Sequence, residues 1–402
     1  MIRMRSSFFQ ANRQALVKAL NGGLIIVPAY GRLQRSNDAA HPFTQESNFW
    51  YLCGIEEPDW KLVIDGAAGR SYLLMPEIDA IHETFDGSLS ADEAKHISGV
   101  DRVVSSDESV TFLRSLAKAH PLVHTVGPPA HADHFNFALN PSIAHTRQSL
   151  ERQFTRVQDI NKELAVLRAV KRPEEVAMIR RAVDITLEAF QGIHERMKEY
   201  RSEHEIEADF TYAMRRAGAD GHAYDPIVAA GANACTLHYA HNRSKVMGRQ
   251  LVLMDVGASY GGYTADITRT YAKGEPTKRQ RQVHEAVEAA HHRIIGLIRP
   301  MLAVDEYQRE VDAIMREAIA SLGLPSDDAA LRRYFPHAVS HGLGIDVHDS
   351  LGSPRFLQAG MVLTVEPGIY LPEEGIGVRI EDDILVTAAG NENLSRRLST
   401  GP

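Results

Sequence analysis

The chain has 402 residues, of which 44% are hydrophobic and 24% are charged. This composition supplies a sizeable core and excludes wholesale disorder, a collagen-like repeat and a coiled coil, while the length favours two domains of about 100–200 residues. The formal net charge is −8, and acidic and basic residues are mixed along the whole chain. Because no basic region exists to attract phosphates, neither nucleic acid nor an anionic membrane is an expected partner.

The cysteine content and the length of the apolar runs indicate the cellular compartment in which the protein is expected. Two cysteines, Cys53 and Cys235, cannot supply a disulfide framework for a chain of this length. The segment 1–6 lacks the apolar core of a secretory signal, and no apolar run reaches the ~20 residues that cross a bilayer. We therefore expect a cytoplasmic protein.

The first part of the chain alternates short apolar runs with helical patterns. Strands are predicted, in chain order, at 24–27, 49–52, 62–66, 72–74 and 122–126, the third of them turning at an Asp-Gly pair. Helical spacing of apolar residues occupies the segments 90–96 and 109–119. We therefore expect a mixed α/β domain over residues 1–158.

Longer helical periodicity begins near Asn161, and Pro173 opens the clearest helix. Proline suits the first helical position, and Glu174 and Glu175 suit the positive end of the helix dipole. Further helices are predicted at 204–216, 278–299 and 305–323, with strands and loops at 224–271 and β-rich sequence after residue 323. These elements predict a second domain over residues 159–402.

Four acidic residues stand inside or at the end of apolar β-like runs in this second domain. Asp255 follows a run of four apolar residues, Asp266 is predicted inside the next strand, and Glu366 and Glu381 occupy similar positions further along. A carboxylate is costly to bury without a positive partner. With His341, from a segment rich in histidine and glycine, these acids form a set of ligands suited to two divalent cations.

The segments that carry these residues resemble the metal-site motifs of the pita-bread peptidases, the family of methionine aminopeptidase, aminopeptidase P and prolidase. The resemblance implies an α/β (α+β) fold with a C-terminal pita-bread domain behind a smaller mixed α/β domain. It also implies five metal ligands, two of which, Asp266 and Glu381, bridge the ions; the five are Asp255, Asp266, His341, Glu366 and Glu381. Because oxygen ligands predominate, Mn²⁺ is the expected metal, with Co²⁺ or Zn²⁺ as alternatives.

Two further segments, 235–239 and 341–349, resemble the Xaa-Pro branch of the family rather than methionine aminopeptidase. The segment 42–54 resembles the N-terminal domain of aminopeptidase P and prolidase, so the resemblance covers nearly the whole chain. Creatinases share the fold but lack the five ligands. The chain departs from the family at Asp225, where a neutral residue is common, and in a short connection between the two metal-site glutamates, which we expect to alter the rim of the pocket.

The resemblance also assigns roles around the metals. Three histidines are implied to bind substrate: His238, His337 and His348. Of His238 and His348, the resemblance implies that one donates a hydrogen bond toward the developing oxyanion and that the other lies near the scissile bond. Arg379 and Tyr370 are implied to form a proton-relay pair.

The implied activity is that of an Xaa-Pro aminopeptidase, in which a hydroxide bridging the two metal ions attacks the carbonyl that precedes proline. Glu366 is the expected general base, and Tyr224 is expected to hydrogen-bond a ligand aspartate. Proline-containing peptides are the expected partners, in a homo-oligomer that is a dimer or a tetramer. Two alternatives stay open: an Xaa-Pro dipeptidase (prolidase), which acts only on dipeptides, and a non-catalytic pita-bread binding protein.

Overall fold

The computed structural model describes residues 4–129 and 132–402, so residues 1–3 of the N-terminal segment 1–6 lie outside the described residues. The chain divides into two compact units, one ending at Leu167 and the other running from Arg168 to Pro402. Among the described residues, no helix is both long enough and apolar enough to span a bilayer.

The first unit is a mixed sheet with helices around it. Its helices are α1 (Ser6–Ala19), α2 (Ser47–Cys53), α3 (Ala80–Asp86), α4 (Ala91–Ser98), α5 (Ser106–Ala119), α6 (Ser142–Glu151) and α7 (Asn161–Ala169), the last of which crosses the division. Its strands are β1 (Leu24–Pro28), β2 (Gln34–Ser36), β3 (Ala39–Ala40), β4 (Lys61–Asp65), β5 (Arg70–Leu74), β6 (Arg102–Val104), β7 (Leu122–Thr125) and β8 (Arg156–Asp159). Six of them form a sheet in the order β6-β5-β4-β1-β7-β8.

The centre of this sheet is antiparallel and its flanks are parallel. β4 pairs antiparallel with β1 and β5, whereas β6 and the β7-β8 pair join through parallel contacts. All five residues of β1 are buried, as its unbroken apolar run predicts. Leu24 and Ile26 of this strand pack in one core with Leu116 of α5 and Leu150 of α6.

The strand predicted at 49–52 is wrong, because this segment forms the buried helix α2. A short apolar run without alternation fits a buried helix as well as a buried strand, so the residues that flank it decide. The carboxylate of Glu46 accepts a hydrogen bond from the backbone N–H of Phe49 at 2.6 Å, which caps the first turn. Gly54 ends the helix with a φ of 70°, a conformation that glycine adopts without strain.

The units divide later than the predicted boundary between residues 158 and 159. That boundary falls inside β8, which pairs in parallel with β7 over residues 156–159. Because the strand is hydrogen-bonded into the first sheet, the chain leaves the first unit only after it, between Leu167 and Arg168.

The second unit combines helices with several small antiparallel sheets. Its helices are α8 (Pro173–Glu195), α9 (Glu203–Arg216), α10 (Lys278–Leu297), α11 (Val304–Ser321) and α12 (Asp328–Tyr334). Its strands are β9 (Gly221–His222), β10 (Ile227–Ala230), β11 (Leu251–Val256), β12 (Ala258–Tyr260), β13 (Tyr263–Thr264), β14 (Ile267–Ala272), β15 (Val362–Val365), β16 (Gly368–Leu371), β17 (Ile376–Arg379), β18 (Asp382–Thr387) and β19 (Gly390–Asn393). α12 lies in sequence predicted to be β-rich, and Asp327 caps it by accepting from the N–H of Ala330.

The sheets bring the four acidic residues to strand ends. β11 is the central strand of the sheet β10-β11-β14, and β18 is the central strand of β15-β18-β19. Asp255 lies in β11, whereas Asp266 occupies the gap before β14 rather than the interior of a strand as predicted. Val365 of β15 faces Asp382 of β18, so Glu366 and Glu381 emerge together at one end of this antiparallel pair.

Gly257 stands where the chain turns out of β11, and it generates a testable prediction. A Cβ at this position would lie 1.8 Å from the carbonyl oxygen of Ala265, the residue before Asp266. We predict that Gly257→Ala forces the two segments apart and lowers the free energy of unfolding by about 1–3 kcal/mol. Gly248→Ala is the matched control, because nothing lies within 4 Å of its Cβ. Urea unfolding compares them, and equal stability of the two variants would contradict the prediction.

Candidate active site

A cavity of about 320 Å³ in the second unit collects the residues that the sequence singled out. Nine of the eleven predicted site residues line it: His238, Asp255, Asp266, His337, His341, His348, Glu366, Arg379 and Glu381. The other two, Tyr224 and Tyr370, lie behind the wall and hydrogen-bond to residues that form it. The structure therefore brings together all eleven, although they are spread over more than 150 positions of the sequence.

The five predicted metal ligands converge within this cavity. In one group of three residues, ligand atoms of Asp255, Asp266 and Glu381 all lie within 4.8 Å of one another, and a second group joins His341, Glu366 and Glu381 at the same spacing. Glu381 belongs to both groups. A third group places His348, which the sequence suggested only as a substrate contact, beside Asp266 and His341.

Burial and the charges of neighbouring acids raise the pKa values of Asp255, Glu366 and Glu381. Desolvation is the largest cause for Asp255, whose pKa is raised even though Arg379 acts against it. For Glu381, burial and then the charges of neighbouring acids raise the pKa well above its usual range. Burial raises the pKa of Glu366 to about 7. Hard oxygen donors that repel one another in a low-dielectric pocket fit divalent cations, which would relieve this repulsion.

His341 faces the carboxylates with one ring nitrogen. Its Nε2 lies 3.4 Å from a carboxylate oxygen of Asp266 and 3.4 Å from one of Glu366, while Nδ1 lies 2.9 Å from the carbonyl of Gly342. Burial lowers its pKa, but the hydrogen bond to Asp266 and the two acidic charges outweigh this and raise it to about 9. With Nδ1 donating to the carbonyl, Nε2 is the atom directed at a metal position.

A hydrogen-bonded layer supports the carboxylates from behind. The Tyr224 hydroxyl lies 2.5 Å from Oδ1 of Asp255 and 2.6 Å from Oδ1 of Asp266, so its single proton can be donated to either carboxylate. Arg379 donates from Nη2 to Oδ2 of Asp255 and from Nη1 to the Tyr370 hydroxyl at 2.9 Å. That hydroxyl is also 2.9 Å from Nε2 of His337, so a chain of hydrogen bonds runs from Asp255 through Arg379 and Tyr370 to His337.

The sequence did not predict two residues of this supporting layer. Thr268 accepts from Nε of Arg379 at 3.1 Å and donates to Oε2 of Glu381 at 2.6 Å. Asp383 is fully buried, and its Oδ2 accepts from the backbone N–H of Asp266 at 3.1 Å. The period-2 alternation of strands was the available signal, because each residue lies two positions after a predicted ligand. Leu237 and Ala338 also line the cavity without having been predicted.

Comparison with known families agrees with this arrangement. The model of Metallopeptidase family M24 matches residues 177–388, and that of the aminopeptidase P N-terminal domain matches residues 9–124. The chain belongs to metallopeptidase family M24. The predicted fold of the family, a mixed α/β domain before a pita-bread domain, is confirmed.

Individual relatives agree over nearly their whole length. The Xaa-Pro aminopeptidase of Escherichia coli (strain K12) is 36% identical over 98% of this chain and 95% of that protein. A putative aminopeptidase P from Bacillus anthracis superposes with a TM-score of 0.89 at 30% identity, covering 98% of this chain and 96% of that one. Aminopeptidase P from Escherichia coli with the inhibitor Pro-Leu gives 0.86 at 32% identity, covering 100% and 97%. These matches belong to the Xaa-Pro branch of the M24 family, as predicted.

The position of Thr268 predicts how metal binding responds to its loss. Thr268→Val keeps the shape of the side chain but removes the group between Arg379 and Glu381. We predict that affinity for Mn²⁺, used as the probe, falls about 10–100-fold. Equilibrium dialysis measures this change, and Thr111→Val, an exposed site in α5, is the control. Unchanged affinity in Thr268→Val would contradict the prediction.

Proposed function

We propose that this protein is an Xaa-Pro aminopeptidase, which uses two divalent metal ions to hydrolyse the bond between an N-terminal residue and a following proline. The convergence of four carboxylates with His341 at one cavity is the observation that carries the proposal. The named relatives support it. Pro-Leu, the inhibitor of one of them, is the product that remains when the first residue is removed from Xaa-Pro-Leu.

The proposed metal ligands are the five converging residues Asp255, Asp266, His341, Glu366 and Glu381. Asp266 and Glu381 would be shared between the two ions, because each is a carboxylate with two oxygens and belongs to two of the three ligand groups; His341 also belongs to two, but it directs one nitrogen at them. When bound, divalent ions would polarise the scissile carbonyl and lower the pKa of a water molecule. Mn²⁺ is the proposed metal because oxygen donors outnumber nitrogen, and Co²⁺ or Zn²⁺ are the alternatives.

Glu366 is the proposed general base. Its carboxylate lines the cavity and is held by a 3.3 Å hydrogen bond from the Thr364 hydroxyl. Without metal, burial raises its pKa to about 7. Bound cations would lower this pKa again, so the group would be deprotonated at neutral pH, as a base must be. It would receive the proton of the attacking water at a carboxylate oxygen.

His238 and His348 are the proposed donors to the substrate. Both imidazoles line the cavity and are exposed to it, His238 on the segment that follows the short helix Gly231–Cys235. Burial and the charge of His341 lower the pKa of His348, so it is a neutral donor at pH 7. A donor aimed at a developing oxyanion is worth about 3 kcal/mol.

Arg379, Tyr370 and His337 form the proposed proton relay and one wall of the substrate pocket. Arg379, which donates to Asp255, also lies 2.9 Å from the Tyr370 hydroxyl, and that hydroxyl lies 2.9 Å from Nε2 of His337, so hydrogen bonds run from Asp255 to His337. Burial and the charge of Arg379 lower the pKa of His337 to about 4, so its imidazole is neutral. With Nδ1 donating to the carbonyl of Ala338 at 2.8 Å, Nε2 accepts from the Tyr370 hydroxyl.

The cations of the cavity favour an aminopeptidase over a dipeptidase. A dipeptidase must hold the C-terminal carboxylate of its substrate, which requires a positive group with a free donor. Among the described residues that line the cavity, Arg379 is the single arginine or lysine. Its three nitrogens already bond to Thr268, Tyr370 and Asp255. A homo-oligomeric assembly and a cytoplasmic location stay predictions.

A substrate panel tests the proposed activity. We predict that purified protein with Mn²⁺ removes the first residue of Xaa-Pro-Xaa tripeptides, leaves Xaa-Ala-Xaa intact, and loses activity when a chelator removes the metal. Amino-acid release followed by chromatography measures this. Turnover of Xaa-Pro dipeptides alone would favour the dipeptidase. Absence of any turnover, with fewer than two metal ions per chain at saturating Mn²⁺, would favour the binding protein.

Replacing the proposed base gives a second prediction. Glu366→Gln keeps the side-chain shape but cannot accept the proton, so kcat should fall about 10²–10⁴-fold while the melting temperature stays close to that of the wild type. Steady-state kinetics and thermal unfolding measure the two effects. Glu199→Gln, at an exposed position, is the control. Full activity of Glu366→Gln would remove this residue as the base.

A further inference from the structure

The loop 341–349 connects two histidines of the cavity. His341 begins it and His348 lies near its end, and their rings meet edge to face with centroids 4.3 Å apart. The base of the loop is closed by a hydrogen bond of 2.8 Å from the N–H of Asp349 to the carbonyl of Gly342. The residue directly after His348 therefore anchors the loop that presents it.

The carboxylate of Asp349 is buried between two cations. Its Oδ1 lies 2.9 Å from Nη2 of Arg168, and its Oδ2 lies 3.3 Å from Nζ of Lys171. The three side chains are 3%, 6% and 1% exposed, respectively. Arg168 also contacts Asp346 at 2.6 Å, but that carboxylate is 49% exposed. The buried group is thus a carboxylate with two positive partners, and the catalytic steps proposed above do not use it.

The loop backbone packs directly against this group. A Cβ added at Gly344 would lie 2.1 Å from Oδ2 of Asp349 and 2.9 Å from Cε of Lys171, so only glycine fits. The carbonyl of Gly344 accepts from the backbone N–H of Thr264 at 2.9 Å. The loop is therefore held between the ion pairs on one side and the strand that precedes Asp266 on the other.

Buried ion pairs add little net stability compared with apolar packing, because desolvation offsets the attraction. The position of these ion pairs beside His348, whose side chain faces the cavity, is therefore better explained by the fixed geometry that they impose than by stability. We propose that Asp349 is a positioning residue: its ion pairs with Arg168 and Lys171 fix the backbone that holds His348 at the cavity. This inference rests on the proposed function of His348 as a substrate contact.

A double-mutant cycle tests the proposal. The kcat and KM for an Xaa-Pro-Xaa tripeptide are measured at saturating Mn²⁺ for the wild type, Asp349→Asn, His348→Ala and the double variant. A displacement of about 1 Å can cost 10²-fold in rate, so we expect Asp349→Asn to lower kcat about 10–100-fold while two metal ions stay bound. If Asp349 acts through His348, the same change lowers kcat less than about twofold in the His348→Ala background.

Equal losses in both backgrounds would overturn the proposal, because they would mean that Asp349 supports the fold as a whole. No effect of His348→Ala on the wild type would overturn it as well. Failure of the wild type to cleave the tripeptide would instead refute the proposed function, so the two failures are distinguishable.

Two further variants keep the test decisive if Asp349→Asn does not fold. Arg168→Lys keeps the charge but cannot reach Asp346 and Asp349 with one planar group, so a smaller loss of kcat is expected, again absent when His348 is alanine. An equal loss in both backgrounds contradicts the proposal here too. Asp346→Asn is the matched control, because its half-exposed ion pair contributes little, and it should change kcat less than about twofold.

Discussion

The repulsion among four carboxylates at one cavity is the constraint on which the second unit depends. Asp255, Asp266 and Glu381 are buried, and Glu366 is nearly so. Inside the protein, Arg379 supplies one opposing charge and protonated His341 a second, which leaves two negative charges unopposed when all four groups are ionised. Bound divalent ions would reverse this balance. A bound metal would therefore contribute to the electrostatics of the native fold as well as to the proposed reaction.

Backbone hydrogen bonds join the two sheets at the acidic residues of the cavity themselves. The N–H of Glu381 donates to the carbonyl of Thr268 at 3.0 Å, which ties β14 to the segment before β18. The N–H of Asp266 donates to the carboxyl of Asp383, which ties the segment before β14 to β18 a second time. Because these contacts involve the proposed ligands or residues close to them in sequence, hydrogen bonds within the site set the distance between the two pairs of acids.

The sequence predicted the acidic residues of the cavity but not the residues that hydrogen-bond to them, and the reason is energetic. Asp255 in an apolar strand is conspicuous because an unpaired buried carboxylate is expensive, so its presence implies a partner. Thr268 is an ordinary strand residue, and only its neighbours in space give it a role. The segment 49–52 was misassigned because its unbroken apolar run has no period, and Glu46 and Gly54, which decide the helix, lie outside it. Local patterns thus gave the chemistry, while tertiary contacts gave its geometry.

Three histidines around the cavity differ in charge because of what faces each ring. Two carboxylates face His341 and raise its pKa to about 9, despite its burial. Burial and the guanidinium of Arg379 lower the pKa of His337 to about 4, and burial with the neighbouring His341 lowers that of His348. A neutral imidazole can donate to a substrate carbonyl without adding charge to a site that cations must balance. The carboxylates therefore favour a cation at His341, either its own proton or a metal ion that replaces it, and they leave His348 as a neutral donor on the peptide side.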